Sequence, residues 1–171
     1  MIQSNFVDAF EAMIVNEGGY TLHTVAGDRG GMTYAGISRR AHPEWTGWVD
    51  LDAGRQPEAE RVRALYKLIY WDRLRLDDVQ SQRIARTLFD FGVNAGTGTA
   101  AKLAQLIVGV TPDGVIGPRT LAALNTADPD RFALAYALAK IARYRDIVIR
   151  DRSQSKFLLG WINRTLKEVA T

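Results

Sequence analysis

The sequence predicts an all-α or mainly α protein. Along most of the chain, apolar residues recur at spacings of three and four, the period of a helix with one buried face. No segment shows the sustained two-residue alternation of a substantial sheet. Ser, Asn, Asp and Pro stand where the periodic segments begin, and glycines stand where several end.

The first helix is expected over residues 5 to 17, capped by Ser4 or Asn5, with Phe6, Phe10, Met13 and Ile14 on one face. Gly18 and Gly19 end it. Residues 20 to 37 hold four glycines, which suggests an irregular segment or a small β-hairpin near 20–37. The stretch from His42 to Gly54 reads as a short helix plus loop. A helix from Pro57 to Tyr70 follows, with Val62, Leu65, Leu68 and Ile69 turned inward and Pro57 near its first turn. Ser81 caps the next helix, which runs to about Gly92 and buries Ile84, Leu88 and Phe91. Residues 98 to 108 form a further helix, and the turn TPDGVIGP leads into another at 118 to 125. Asp128 or Asp130 opens a long helix to about Ile149, and a last one spans roughly 154 to 168.

At 171 residues the chain can bury a core as one domain or as two small lobes. The expected lobes are residues 1–92 and 93–171, tightly joined near 92 to 98. The start carries Asp8 and Glu11 in place of a secretory leader's basic and apolar regions. The longest apolar run, residues 132 to 139, is far too short to span a bilayer. The expectation is a soluble monomer, synthesised in the cytoplasm, without stable membrane insertion. With no cysteine, disulfides and thiolate chemistry are excluded, and His23 and His42 alone do not suggest a metal site. The formal charge of +3 favours anionic partners, yet no basic and aromatic stripe or helix-turn-helix spacing supports nucleic acid.

Glu17 is the residue with the most chemistry in it. It extends the apolar face of the first helix, where a solubilising Glu is unexpected, and it sits at the helix C-terminus, where the dipole disfavours negative charge. Both effects favour a protonated carboxyl, the form that can hand a proton to a departing sugar oxygen. The alternative is a residue that frays into solvent or caps the next loop. Asp28 and Thr33 lie in the following loop, where a second carboxylate or a hydroxyl can orient water; an Asx-turn and local backbone bonding are their structural alternatives. A carboxyl separation of about 5 to 5.5 Å would suit retention and about 6.5 to 9.5 Å inversion. Tyr20, Tyr34, Trp45, Trp48, Tyr70 and Trp71 offer aromatic surface for sugar rings or for packing. Tyr20 and Tyr34, in the loop, are the candidates for substrate contact. Asn94, in DFGVNAGTG, either donates to a substrate carbonyl or terminates a helix.

Four blocks in order, EGGY at 17–20, GDRGGMTYAGI at 27–37, LIYWDRL at 68–74 and DFGVNAGTGTAAKLAQ at 90–105, resemble glycoside hydrolase family 108. DGVIGPRTLAAL at 113–124 and FLLGWINR at 157–164 resemble that family's C-terminal peptidoglycan-binding-like region. Members are lysozyme-like N-acetylmuramidases found as phage endolysins and in bacterial proteins once called secretion activators. The resemblance implies a lysozyme-like helical fold, with a catalytic lobe at 1–92 and a peptidoglycan-binding-like lobe at 93–171. It also maps the family's catalytic acid onto Glu17, and it matches Asp28 and Thr33 to the loop's Asp and Thr. The loop departs from the family pattern at Arg29, which stands where a proline is usual.

The implied activity is hydrolysis of the β-1,4 bond between N-acetylmuramic acid and N-acetylglucosamine in peptidoglycan, with no cofactor. Such a protein would act in the periplasm or at the cell wall, and a holin-like pore or a secretion apparatus would deliver it. Two rivals differ in class: a lytic transglycosylase, which leaves anhydromuramic ends, and a non-catalytic wall-binding or secretion-associated protein.

Overall fold

The computed structural model describes residues 4–16, 18–23 and 31–169. Among them are eight α-helices and a small three-stranded antiparallel sheet, so the chain is mainly α with the expected hairpin. It divides into two compact units, Asn5–Arg73 and, with the first four residues, Leu74–Thr171.

The unit Asn5–Arg73 opens with α1 (Phe6–Asn16), whose Ala9, Phe10, Met13 and Ile14 are buried. Asn5 is the cap: its Oδ1 accepts from the Val7 amide at 2.9 Å. Ser4 instead donates to the Leu76 carbonyl, within the other unit. Gly18 and Gly19 close α1 with φ of +86° and +72°, their amides donating to Val15 and Ile14 carbonyls at 3.3 and 2.9 Å, a Schellman closure.

In the sheet, β1 (Leu22–His23) pairs with β2 (Thr33–Tyr34), which pairs with β3 (Ile37–Ser38). The β2–β3 turn places Ala35 and Gly36 at φ of 49° and 77°, as a two-residue hairpin turn of the primed kind requires. Ala35 is an unfavourable residue there; its carbonyl accepts a buried hydrogen bond from the Tyr66 hydroxyl at 2.9 Å, which holds the turn.

After α2 (Gly47–Asp52) comes α3 (Ala59–Tyr66), which continues without a break into a π-helical turn, Lys67–Trp71. That turn corrects the expected inward face. In wider winding the buried positions become Val62, Tyr66 and Trp71, while Leu68 is 63% exposed and Leu65 and Ile69 are half-buried. Pro57 precedes the helix and lies outside its first turn. The core is aromatic: Phe10 meets Tyr66 edge-on at 5.5 Å, Phe6 meets Trp71 at 5.4 Å, and Trp45 lies between Tyr34 and Trp48. Trp45 covers Gly47 so closely that a Cβ there would fall 2.2 Å from its ring.

The second unit is a helical cluster of α4 (Gln82–Ala95), α5 (Thr97–Ile107), α6 (Pro118–Thr126), α7 (Pro129–Arg150) and α8 (Ser155–Val169). Ser81 caps α4 by accepting from Ile84, and Asp128 caps α7 by accepting from Arg131. Helix α4 buries Ile84, Leu88 and Phe91 as expected, but it runs on through Gly92 to Ala95. Gly92 therefore ends no helix. A Cβ there would lie 2.9 Å from a Leu74 methyl, so glycine permits close packing. In the core, Tyr136 meets Phe91 edge-on, stacks on Phe132 and donates to the Ala100 carbonyl at 3.0 Å.

Candidate functional site

Glu17 and Asp28 lie outside the described residues. What is described is the frame on either side of position 17. The buried face of α1 ends with Met13 and Ile14, and the glycine closure begins at Gly18.

Tyr20 follows that closure, half-buried. Burial pushes its phenol above the ordinary value; the negative Glu11 pushes the same way, and Arg63 pulls it back. Arg63, on α3, lies with Nε 3.7 Å from a Glu11 oxygen and Nη1 3.5 Å from Glu60. Its Nε is buried and has no hydrogen-bond partner among the described residues. Tyr20 and Tyr34 are close enough for their phenols to interact electrostatically. The structure thus gathers Tyr20, Tyr34, Glu11 and Arg63 beside the end of α1. Sequence reasoning missed Arg63 and Glu11. Their pairing joins α1 to α3, elements distant in sequence, and no local pattern signals it.

Thr33 is half-buried on β2, in register with His23 on one side and Ser38 on the other. Tyr34 is only 2% exposed and stacks on Trp45 at 6.0 Å, so its ring faces the core. Its hydroxyl is buried and has no hydrogen-bond partner among the described residues. Trp45, Trp48 and Trp71 are core residues, at 6%, 3% and 0% exposure. Arg39 forms a bidentate pair with Asp52 at 2.6 and 2.7 Å, which holds the Asp52 carboxyl below its usual range. Among the described residues no three His, Asp or Glu side chains converge as a metal site.

Asn94 belongs to the other unit and sits in the last turn of α4, exposed. Its Nδ2 donates to the Asp90 carbonyl at 2.7 Å, and its Oδ1 accepts from Arg164 on α8. Arg164 Nε in turn lies 3.7 Å from an Asp90 carboxylate oxygen. Asp90 and Glu168 also interact, and Lys140, itself 1% exposed, meets Glu168 at 2.5 Å. A polar cluster thus joins α4, α7 and α8 beside the apolar core of this unit.

A mainly helical chain with a small antiparallel sheet directly after its first helix has the lysozyme-like fold. The family model described as Glycosyl hydrolase 108 matches residues 10–96, and one described as Predicted Peptidoglycan domain matches residues 99–166. The chain belongs to glycosyl hydrolase family 108, whose members' activity is lysozyme-like hydrolysis of peptidoglycan. Among solved structures it is similar to SagA of Brucella abortus, at 25% identity and a TM-score of 0.64, over 97% of this chain and 96% of that one. No curated protein matches it. No helix among the described residues is long and apolar enough to cross a membrane.

Proposed function

We propose that this chain is an endo-acting N-acetylmuramidase that hydrolyses the β-1,4 bond between N-acetylmuramic acid and N-acetylglucosamine, with Glu17 as general acid. The observation that supports this most is the setting on both sides of position 17: the apolar end of α1 before it and the Schellman glycines after it. A carboxyl group placed at such a helix end meets the negative pole of the dipole, which favours the protonated form by about 0.3 to 1 kcal/mol; any desolvation adds to that. Glu17 protonates the leaving oxygen as the bond to the sugar carbon breaks, and water supplies the new hydroxyl.

Asp28 and Thr33 are the proposed partners for that water, the carboxylate drawing its proton and the hydroxyl orienting it. Tyr20 is the proposed aromatic contact for a sugar ring. Tyr34, proposed from the sequence as a substrate contact, instead supports the hairpin that carries Thr33 by stacking its buried ring on Trp45. The proposed division of labour is a catalytic lobe at 1–92 and a wall-binding lobe at 93–171, the latter carrying Asn94. The protein is proposed to act as a monomer.

The test is digestion of purified peptidoglycan, borohydride reduction and mass spectrometry, with Glu17→Gln run in parallel. Wild type should release fragments ending in reduced muramic acid, and the variant should lose activity by at least about a hundredfold, the low end of what a positioned general acid contributes. Anhydromuramic ends would replace hydrolysis by transglycosylation. A variant as active as wild type would remove Glu17 from the chemistry.

A further inference from the structure

We propose that one face of α8 is a glycan-binding platform, formed by Phe157, Gly160, Trp161 and Arg164, with Asn94 at the end of α4 holding Arg164 in place. Its ligand, the sugar chain of peptidoglycan, rests on the function proposed above; the site itself rests on the following geometry.

The four residues fall at spacings of three, four and seven along a 15-residue helix and so share one face. Phe157 is 46% exposed, Gly160 is exposed, and Trp161 and Arg164 are half-buried. The rings are braced. Trp161 lies 5.1 Å from Tyr144 of α7 and 6.0 Å from Phe157, each pair inclined by 31°. Tyr144 is itself buried, so the row is anchored from beneath. The Lys156 ammonium lies 5.0 Å from the centroid of the Phe157 ring, so a stacking sugar displaces it, while rings backed in this way lose little freedom of their own.

Gly160 is the informative residue. A glycine inside a helix costs about 1 kcal/mol relative to alanine. Nothing within 4 Å would obstruct a Cβ there, so no packing within the described protein requires its absence. What the glycine provides is an open floor on the outer face, between Phe157 and Arg164. A ligand that must approach the helix backbone closely accounts for it.

At the far end the polar groups are set in advance. Asn94 accepts from the Arg164 guanidinium and donates to Asp90, fixing an Arg whose fork of N–H groups suits sugar hydroxyls and acetamido carbonyls. Asn94 is therefore a positioning residue. Charge agrees as well: Arg152, Lys156, Arg164 and Lys167 lie on or just before α8, and residues 74–171 hold 14 Lys and Arg against nine Asp and Glu, a formal +5. The wall polymer is anionic through its peptide carboxylates. The stretch matched by the Predicted Peptidoglycan domain, 99–166, encloses all four α8 residues.

The test is co-sedimentation with purified sacculi, in the Glu17→Gln background so that turnover does not destroy the ligand. Gly160→Gln fills the floor with a side chain that favours helix, so its melting temperature should equal or exceed the parent's while wall affinity falls about tenfold or more. Phe157→Ala, at an exposed position, should do the same and decides the matter if Gly160→Gln melts lower. Glycan strands stripped of peptide by an amidase should compete with sacculi, and free stem peptide should not. Undiminished binding by both folded variants would overturn the platform, as would competition by stem peptide alone. Hydrolysis is read separately in the wild type, so a wild type that binds through this face without cutting would refute the muramidase and leave the platform standing.

Discussion

At the level of single residues, Glu168 is a side chain whose titration the fold moves into the neutral range. Its carboxyl is raised from an ordinary 4.5 to about 7, by burial first and by the neighbouring Asp90 next, with Lys140 at 2.5 Å working against both. Tyr136 and Tyr144 also lie within electrostatic reach of it, and Arg164 lies 3.7 Å from Asp90. A carboxyl whose pKa is higher folded than unfolded stabilises the fold fully below the unfolded value, and that stabilisation is lost as pH rises through the folded value. The direction here is therefore greatest stability in acid and loss between about pH 5 and 8, on the order of 2 kcal/mol given the partial exposure and the opposing lysine. Chemical denaturation of wild type and Glu168→Gln across that range reads Glu168 together with its coupled neighbours Asp90 and Lys140, because titrating groups outside that cluster are common to both. The difference between the two curves should slope; parallel curves would mean that Glu168 titrates as an ordinary surface carboxylate.

At the level of elements, the DGVIGP turn before α6 shows how much one buried side chain can organise. Gln105, 1% exposed on α5, shares its amide N–H groups among Asp113 Oδ1 at 2.7 Å, the Val115 carbonyl at 3.0 Å and Thr120 Oγ1 at 3.2 Å, and it accepts from the Gly114 amide at 2.9 Å. Gln105→Leu would keep the bulk and strand those groups, at a cost of about 2 to 3 kcal/mol. Urea unfolding measures it, and a loss below about 0.5 kcal/mol would show the turn to be held by its own glycine and proline chemistry. That chemistry was legible in the sequence; Gln105 was not, because nothing in a glutamine among alanines says which distant backbone it serves. The same contrast recurs elsewhere. Caps such as Ser81 and Asp128 are local and could be read directly, as could the glycine closure of α1. The inward face after Tyr66 could not, because periodicity assumes 3.6 residues per turn and the π-turn at Lys67–Trp71 breaks that assumption. In the candidate site, Tyr20 and Thr33 were legible as loop and hairpin residues. The burial of Tyr34 and the place of Arg63 depend on packing between elements distant in sequence, which no local pattern encodes.

At the level of the whole molecule, the modest +3 charge conceals a division. Residues 5–73 carry eight Lys and Arg against ten Asp and Glu, a formal −2, while residues 74–171 carry +5. The basic unit encloses the stretch that matches the peptidoglycan domain, 99–166, along with the end of the hydrolase match up to residue 96, and the acidic unit holds EGGY and the hairpin. Attraction of the basic unit to an anionic wall is a long-range effect, screened over about 10 Å at 0.1 M salt. Stacking of sugars on aromatic rings is short-range and barely responds to salt. Wall affinity of the Glu17→Gln protein should therefore fall several-fold between about 50 and 300 mM NaCl and then level off at a residual set by the aromatic platform. Charge reversal on the exposed side chains of Arg143 and Arg145, both outside the proposed platform, should flatten the salt dependence without removing the plateau. Co-sedimentation across the salt series distinguishes the contributions. A curve that falls to no binding would assign wall recognition to charge alone, whereas one that stays level throughout would leave the separation of charge between the two units without a role in reaching the wall.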